Sequence, residues 1–210
     1  MSGGTSATAI YRMLATALEG RHAGGGILLD AGCGAGNLWP WVQARFAQYI
    51  GADAVRYSGL PATARFVEAD LDHGIPLPDG MADVAVAVET IEHLDNPRAF
   101  MREIVRLTKP GGWVVMTTPN QLSLLSLLTL VVKQRFSAFQ DVHYPTHRTA
   151  LLEVDLRRIA AECGLTEVMV RYSQEGRIPG TARHYPGFLS RLFPRALSDN
   201  VLLVGRAPSR

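Results

Sequence analysis

Asp30, Gly32, Gly34 and Gly36 stand together in the run LLDAGCGAG, after a short apolar stretch and before a helix-like segment. Glycines at that spacing let the backbone approach a ligand closely, and the helix start they open offers free N–H groups. A dinucleotide motif of the form G-x-G-x-x-G would need glycine at position 37, where Asn37 stands. The G-x-G-x-G spacing with an acid just ahead instead suits a ligand without a pyrophosphate, whose amino-acid ammonium a carboxylate can hold. Asp53 lies 23 residues after Asp30, the distance at which a strand-end carboxylate accepts hydrogen bonds from a ribose diol. Asp70 closes the next apolar stretch, where a carboxylate can accept from an adenine amino group.

A second cluster, Glu89, Glu92 and His93, follows the run DVAVAV. Two carboxylates and an imidazole suit Mg²⁺, Mn²⁺ or Zn²⁺, and His143 or His147 further on can supply a fourth ligand. Such a metal would lower the pKa of an acceptor hydroxyl and align its oxygen for displacement. The competing reading needs no metal: Glu89 shapes the ligand pocket, while His93 acts as a cap or a general base.

These residues need a scaffold that brings strand ends together. Short apolar strands are expected over 27–29, 49–52, 65–69, 83–88, 113–117, 165–172 and 201–205, with a turn at Lys109-Pro110-Gly111-Gly112. Helices are expected over 7–19, 37–47, 96–107, 121–134 and 150–163. Asn96 is placed to cap the third of these with Pro97 at its first turn, and Gly164 to end the fifth. Solid apolar strands alternating with helices indicate a parallel sheet covered on both faces. In such a sheet, ligands bind at the carboxyl ends of the strands, where the strand order reverses.

The stretches LLDAGCGAG, GAD, FVEADL, ADVAVAVETIEHLDNP and LTKPGGWVVMTTPN together resemble class I S-adenosylmethionine (SAM)-dependent methyltransferases, in particular the branch of ubiquinone-biosynthesis O-methyltransferases. The likeness covers about 26–120 well and the remainder loosely. It implies an α/β, Rossmann-like sheet of seven strands in the order 3-2-1-4-5-7-6, the last antiparallel, with helices on both faces. It implies SAM as cofactor. Asp30, Gly32, Cys33, Gly34 and Gly36 would line its methionine end, Asp53 its ribose, Asp70 and Leu71 its adenine, and Glu89 would border it. The Glu-x-x-Glu-His run is associated with a divalent metal in that branch and in the similar small-RNA 2′-O-methyltransferases, which makes Glu89, Glu92, His93 and His147 the catalytic and metal-ligand candidates. One departure is visible. The stretch between Asp53 and Phe66 is too short for the usual helix, so the adenosine side is expected to be open or walled by Tyr57 and Leu60.

The chain has 210 residues, 47% hydrophobic and 19% charged, with a net charge of +2. That fits one globular methyltransferase domain over 1–210, comprising a lead-in helix at 7–22, an acceptor-side insertion at 121–148 and a basic loop at 173–197. The charge is too small to argue for nucleic acid as partner. No oligomer is specified by the pattern. Cys33 and Cys163 read as free thiols of a reducing, cytoplasmic compartment, and the start MSGGTSATAIYRML shows no secretory signal.

The apolar run 122–132 is too short to span a bilayer, and it carries Ser123, Ser126, Thr129 and Lys133 as a narrow polar stripe. Three covers suit it: packing on the domain, roofing an apolar acceptor site, or contact with the inner membrane surface through 122–135. The basic loop holds Arg177, Arg183, Arg191 and Arg195. It reads as a solvated surface or as a site for a phosphate- or carboxylate-bearing acceptor. The expected reaction is methylation of a hydroxyl on a small or lipid-linked acceptor, quinone-like or a glycan precursor. The rivals are an RNA 2′-O-methyltransferase, a non-catalytic SAM-binding module and a nicotinamide dehydrogenase.

Overall fold

The computed structural model describes residues 6–209; the first five residues of the N-terminal stretch and Arg210 lie outside them. Seven strands, β1 (Ile27–Ala31), β2 (Gln48–Asp53), β3 (Arg65–Glu68), β4 (Ala82–Ala87), β5 (Thr108–Pro119), β6 (Thr166–Tyr172) and β7 (Asn200–Arg206), form one sheet. Its order is β3-β2-β1-β4-β5-β7-β6, with β7 antiparallel to both neighbours. This is the topology implied by the resemblance.

The strands alternate their side chains between two cores, as a two-faced sheet requires. Leu29, Ile50, Ala85 and Val114 face α3 (Pro97–Leu107) and α5 (Glu153–Glu162), whose Phe100, Ile104 and Leu156 pack there. Leu28, Tyr49, Val84 and Val115 face α1 (Thr8–Leu18) and α2 (Trp39–Val42), with Ile10, Leu14 and Val42 beneath them. Asn96 caps α3, its side chain accepting from the Ala99 N–H at 3.0 Å, and Gly164 ends α5 with φ +74°.

Four local expectations are corrected. The helix expected over 37–47 shrinks to α2 and a 3₁₀ turn at Gln43–Arg45. Pro40 is confined to the first turn of α2, and the chain must return at once to the start of β2, where the Ala47 and Gln48 N–H groups donate to the Gly26 carbonyl. The Lys109–Gly112 turn is absorbed into β5 as an irregular lead-in, where the β4 pairing shifts register. A short helix, α6 (Gly187–Leu192), interrupts the loop expected to be irregular.

The last correction concerns α4 (Leu124–Lys133), capped by Ser123, whose hydroxyl accepts from the Ser126 N–H at 3.1 Å. The residue it buries is Ser126, while Leu127, Leu128, Val131 and Val132 face outward. Packing of its apolar face on the domain is therefore overturned. No helix among the described residues is long and apolar enough to cross a membrane.

Candidate active site

The strand order reverses between β1 and β4, and a cleft of about 790 Å³ opens at their carboxyl ends. Asp30, Gly32, Cys33, Gly34, Asp53, Asp70, Leu71, Glu89, Glu92, His93 and His147 all line it. The segments that a sequence reading kept apart thus meet in one place.

Asp30 is next to last in β1, paired with Gly51 on one side and Val86 on the other, which fixes its direction. It is buried, and Tyr49 donates its hydroxyl to Oδ2 at 2.7 Å. Oδ1 has no partner. Burial pushes the carboxyl up to about 7. An orphaned buried carboxylate oxygen is the feature a cationic ligand would satisfy.

The glycine turn is shaped around this carboxylate. Gly32 has φ +81°, and a Cβ there would sit 2.3 Å from the Thr90 hydroxyl oxygen. That hydroxyl already donates to the carbonyls of Ala31 and Val88, so no side chain fits at Gly32. Gly36 serves packing instead: it does not line the cleft, and its face rests on Pro61 and Leu60. Asp53 ends β2 and accepts from the Gly34 N–H at 2.9 Å and the Ala54 N–H at 2.8 Å. Asp70 is exposed and held below the usual carboxylate range by His73 and the Asp72 N–H. No helix forms between β2 and β3. Of the two expected wall residues, Tyr57 lines the cleft and Leu60 is core. Cys33 is a buried free thiol, pushed up by burial and by Asp30.

The second cluster divides. Glu89 takes φ +50°, a conformation costly for a residue with a side chain. Its N–H donates to the Thr117 hydroxyl, which donates back to Oε1, both at 3.0 Å, and Asn200 donates to Oε2 at 2.8 Å. Thr117 and Asn200 were missed in the sequence, where nothing sets them apart. Burial raises the Glu89 carboxyl to about 7.

Glu92 lies in a 3₁₀ turn, Ile91–His93, and is fully buried. Thr118 donates to its Oε2 at 3.1 Å, and Oε1 is unpartnered. Burial and the nearby Glu89 carboxyl push it well above the usual range. Its backbone carbonyl accepts from the N–H groups of Arg148 and Thr149, which ties the loop over 136–149 to the turn.

That loop brings His147 to His93, ring centres 4.6 Å apart and edge-on. His93 Nδ1 faces the Thr146 carbonyl at 2.8 Å, and His147 Nδ1 faces the Ala138 carbonyl at 2.6 Å. A carbonyl only accepts, so each Nδ1 carries a proton, and in the neutral ring the lone pair lies on Nε2. Burial, His93 and His143 together lower His147 to about 4. One ligand atom each from Glu92, His93 and His147 lies within 4.8 Å of the other two. Among the described residues Glu89 does not join this group, because Thr117 and Asn200 hold it.

A family model described as a methyltransferase domain matches residues 7–170. The chain belongs to that methyltransferase family. It is 27% identical over 197 residues to a probable SAM-dependent methyltransferase of Mycolicibacterium smegmatis, covering 90% of this chain and 70% of that one. It is 34% identical over 124 residues to a ubiquinone biosynthesis O-methyltransferase of Chromobacterium violaceum, covering 53% of each. The chain thus spans about half the length of that relative. Among solved structures, a SAM-dependent methyltransferase from Archaeoglobus fulgidus superimposes with a TM-score of 0.65 at 18% identity, covering 93% of this chain and 94% of that one. A putative methyltransferase in complex with the Haloferax volcanii Trm112 activator gives 0.69 at 18%, covering 95% and 90%. At that identity these two show the fold. SAM is the cofactor of this methyltransferase family. The matched range holds Asp30, Asp53, the Glu92 cluster and Thr117, whereas Asn200 lies beyond it.

Proposed function

We propose that this methyltransferase moves a methyl group from SAM to a hydroxyl of a small or lipid-linked acceptor in the cytoplasm. The observation that carries the reading is the orphaned Asp30 oxygen, in one cleft with the orphaned Glu92 oxygen. The first is what the SAM ammonium would satisfy. Gly32, Cys33 and Gly34 surround that end, Asp53 accepts from the ribose hydroxyls, and Asp70 with Leu71 receives the adenine. Glu89 borders the cofactor, held there by Thr117 and Asn200.

When bound, SAM supplies an electrophilic methyl carbon that leaves its sulfonium sulfur as the acceptor oxygen takes it. The chain's own contribution is alignment of that oxygen and removal of its proton. The His93 Nε2 lone pair is the acceptor for that proton, with His147, a weaker base at about 4, beside it. The cluster of Glu92, His93 and His147 also fits a divalent cation such as Mg²⁺, since its ligand atoms lie within 4.8 Å of one another and both Nδ1 atoms face carbonyls, as the ring nitrogens of metal-bound histidines do on their far side. A cation held there would lower the pKa of the acceptor hydroxyl. The region over 121–148 forms the acceptor side, since Ser137, Ala138, His143 and His147 line the cleft. The partial likeness to a ubiquinone biosynthesis O-methyltransferase supports a quinone-like acceptor.

The test is incubation with methyl-labelled SAM and a cell extract, with and without EDTA, followed by phase partition. Label in the organic phase is expected, and lost in the double variant Glu92→Ala with His93→Ala while SAM still binds. Label confined to the aqueous phase overturns the lipid-linked acceptor. Full activity in EDTA removes the metal and leaves His93 as the base.

A further inference from the structure

Eleven of the fifteen large hydrophobic side chains exposed on the described surface fall in three segments. Six are on α4, two (Val142 and Tyr144) on the loop after it, and three (Phe188, Leu192 and Phe193) on or next to α6. The segments are joined to one another: the Leu124 N–H donates to the Ala196 carbonyl at 2.7 Å, and the Ser137 N–H to the Ser126 hydroxyl at 3.2 Å. α4 is inside-out, with serine inward and leucine and valine outward, so the fold itself does not cover it.

Apart from Asp141, which is exposed and pairs with Arg135, the charged side chains beside this face are basic. There is no Asp or Glu from 121 to 140 or from 176 to 198, whereas Lys133, Arg135, Arg177, Arg183, Arg191 and Arg195 all lie there. Arg135 pairs with Asp141 and Arg177 with Asp199; the other four make no ion pair among the described residues. A second copy of this chain would bring these cations against their own counterparts, which opposes self-association through the face. An anionic lipid surface would receive the apolar side chains and pair with the cations.

We propose that α4, the loop after it and α6 form a docking surface for an anionic lipid bilayer. The same loop lines the cleft through Ser137, Ala138, His143 and His147, so docking sets the cleft mouth at the bilayer.

The test is co-sedimentation of the full chain with vesicles of phosphatidylcholine plus phosphatidylglycerol, and with vesicles of phosphatidylcholine alone. Strong binding is expected only to the mixed vesicles, and weaker in high salt. Val131 and Val132 are 80% and 78% exposed, so Val131→Asp with Val132→Asp leaves the melting temperature unchanged. That pair should lower vesicle binding about tenfold or more, from lost apolar burial and added repulsion. Lys133→Gln with Arg191→Gln should lower binding to mixed vesicles alone. No binding by the wild-type chain overturns the proposal. So does equal binding to both vesicle types, and so does a dimer in ultracentrifugation that the valine variants abolish. None of these readouts depends on methyl transfer, so they stand or fall apart from the proposed reaction.

Discussion

Asp30 and Glu92 each bury a carboxyl in the same cleft with one oxygen unpartnered, yet they are held in different ways. Asp30 is locked by sheet register to β2 and β4, and its one side-chain partner comes from the adjacent strand. Glu92 sits outside the sheet in a single 3₁₀ turn. Its neighbours His93 and His147 are oriented by carbonyls of a loop that starts more than forty residues downstream. The cofactor end of the cleft is thus made by the sheet, and the acceptor end by closure of a long connection. A family can keep the first and rebuild the second, which is how one sheet serves many acceptors.

The sharpest way to break this comparison is to remove each carboxylate in turn. Asp30→Ala, and Asp53→Ala at the next strand end, should each weaken SAM binding about a hundredfold or more, because a charged group loses its partner in a buried setting. Glu92→Ala should leave SAM affinity within about threefold, since independent sites add without coupling. Isothermal titration calorimetry measures all three. Equal losses at Asp30 and Glu92 would show that the two ends are one site; wild-type affinity in both aspartate variants would remove the cofactor assignment.

The same division governs what could be read in the sequence. Asp30, Gly32, Asp53 and Asp70 lie at strand ends within forty residues of one another, and apolar strands announce their own ends. The place of the cleft followed from them, whereas the strand order was implied by the resemblance to class I methyltransferases. Thr117 and Asn200 were invisible because each acts through a contact across the sheet, the second from 111 residues away. Gly36 was misread because a packing glycine and a ligand-facing glycine look alike in sequence. Helix α4 was legible as a helix but not as an inside-out one: its serines read only as a narrow polar stripe, and the structure uses them to anchor the helix.

A pH titration sharpens the Asp30 end alone. Burial holds its carboxyl near 7 in the ligand-free chain. A carboxyl raised in the fold stabilises it most when protonated, so that contribution is lost as pH rises through about 7. Binding of a cationic ammonium needs the ionised form. SAM affinity should therefore fall as pH drops below 7, by about tenfold per unit. Asp30→Asn should bind weakly with no such slope. A wild-type affinity flat from pH 5 to 8, on the order of the range that brackets that value, would mean that another group holds the ammonium.

The smallest effect expected lies on α4, where the usual order of polar and apolar substitutions should be reversed. Ser126 is buried, donates to Gln121 and accepts from the Ser137 N–H, so Ser126→Ala strands a backbone donor and breaks the tie between helix and loop. It should cost about 1 kcal/mol. Val131 is 80% exposed and Val131→Ser removes little that the fold uses; its cost should stay within about 0.5 kcal/mol. Urea unfolding of the two variants side by side reads the difference. A larger loss from Val131→Ser than from Ser126→Ala would mean that the outward face of α4 packs on the domain in solution, and the surface offered to a bilayer would no longer exist.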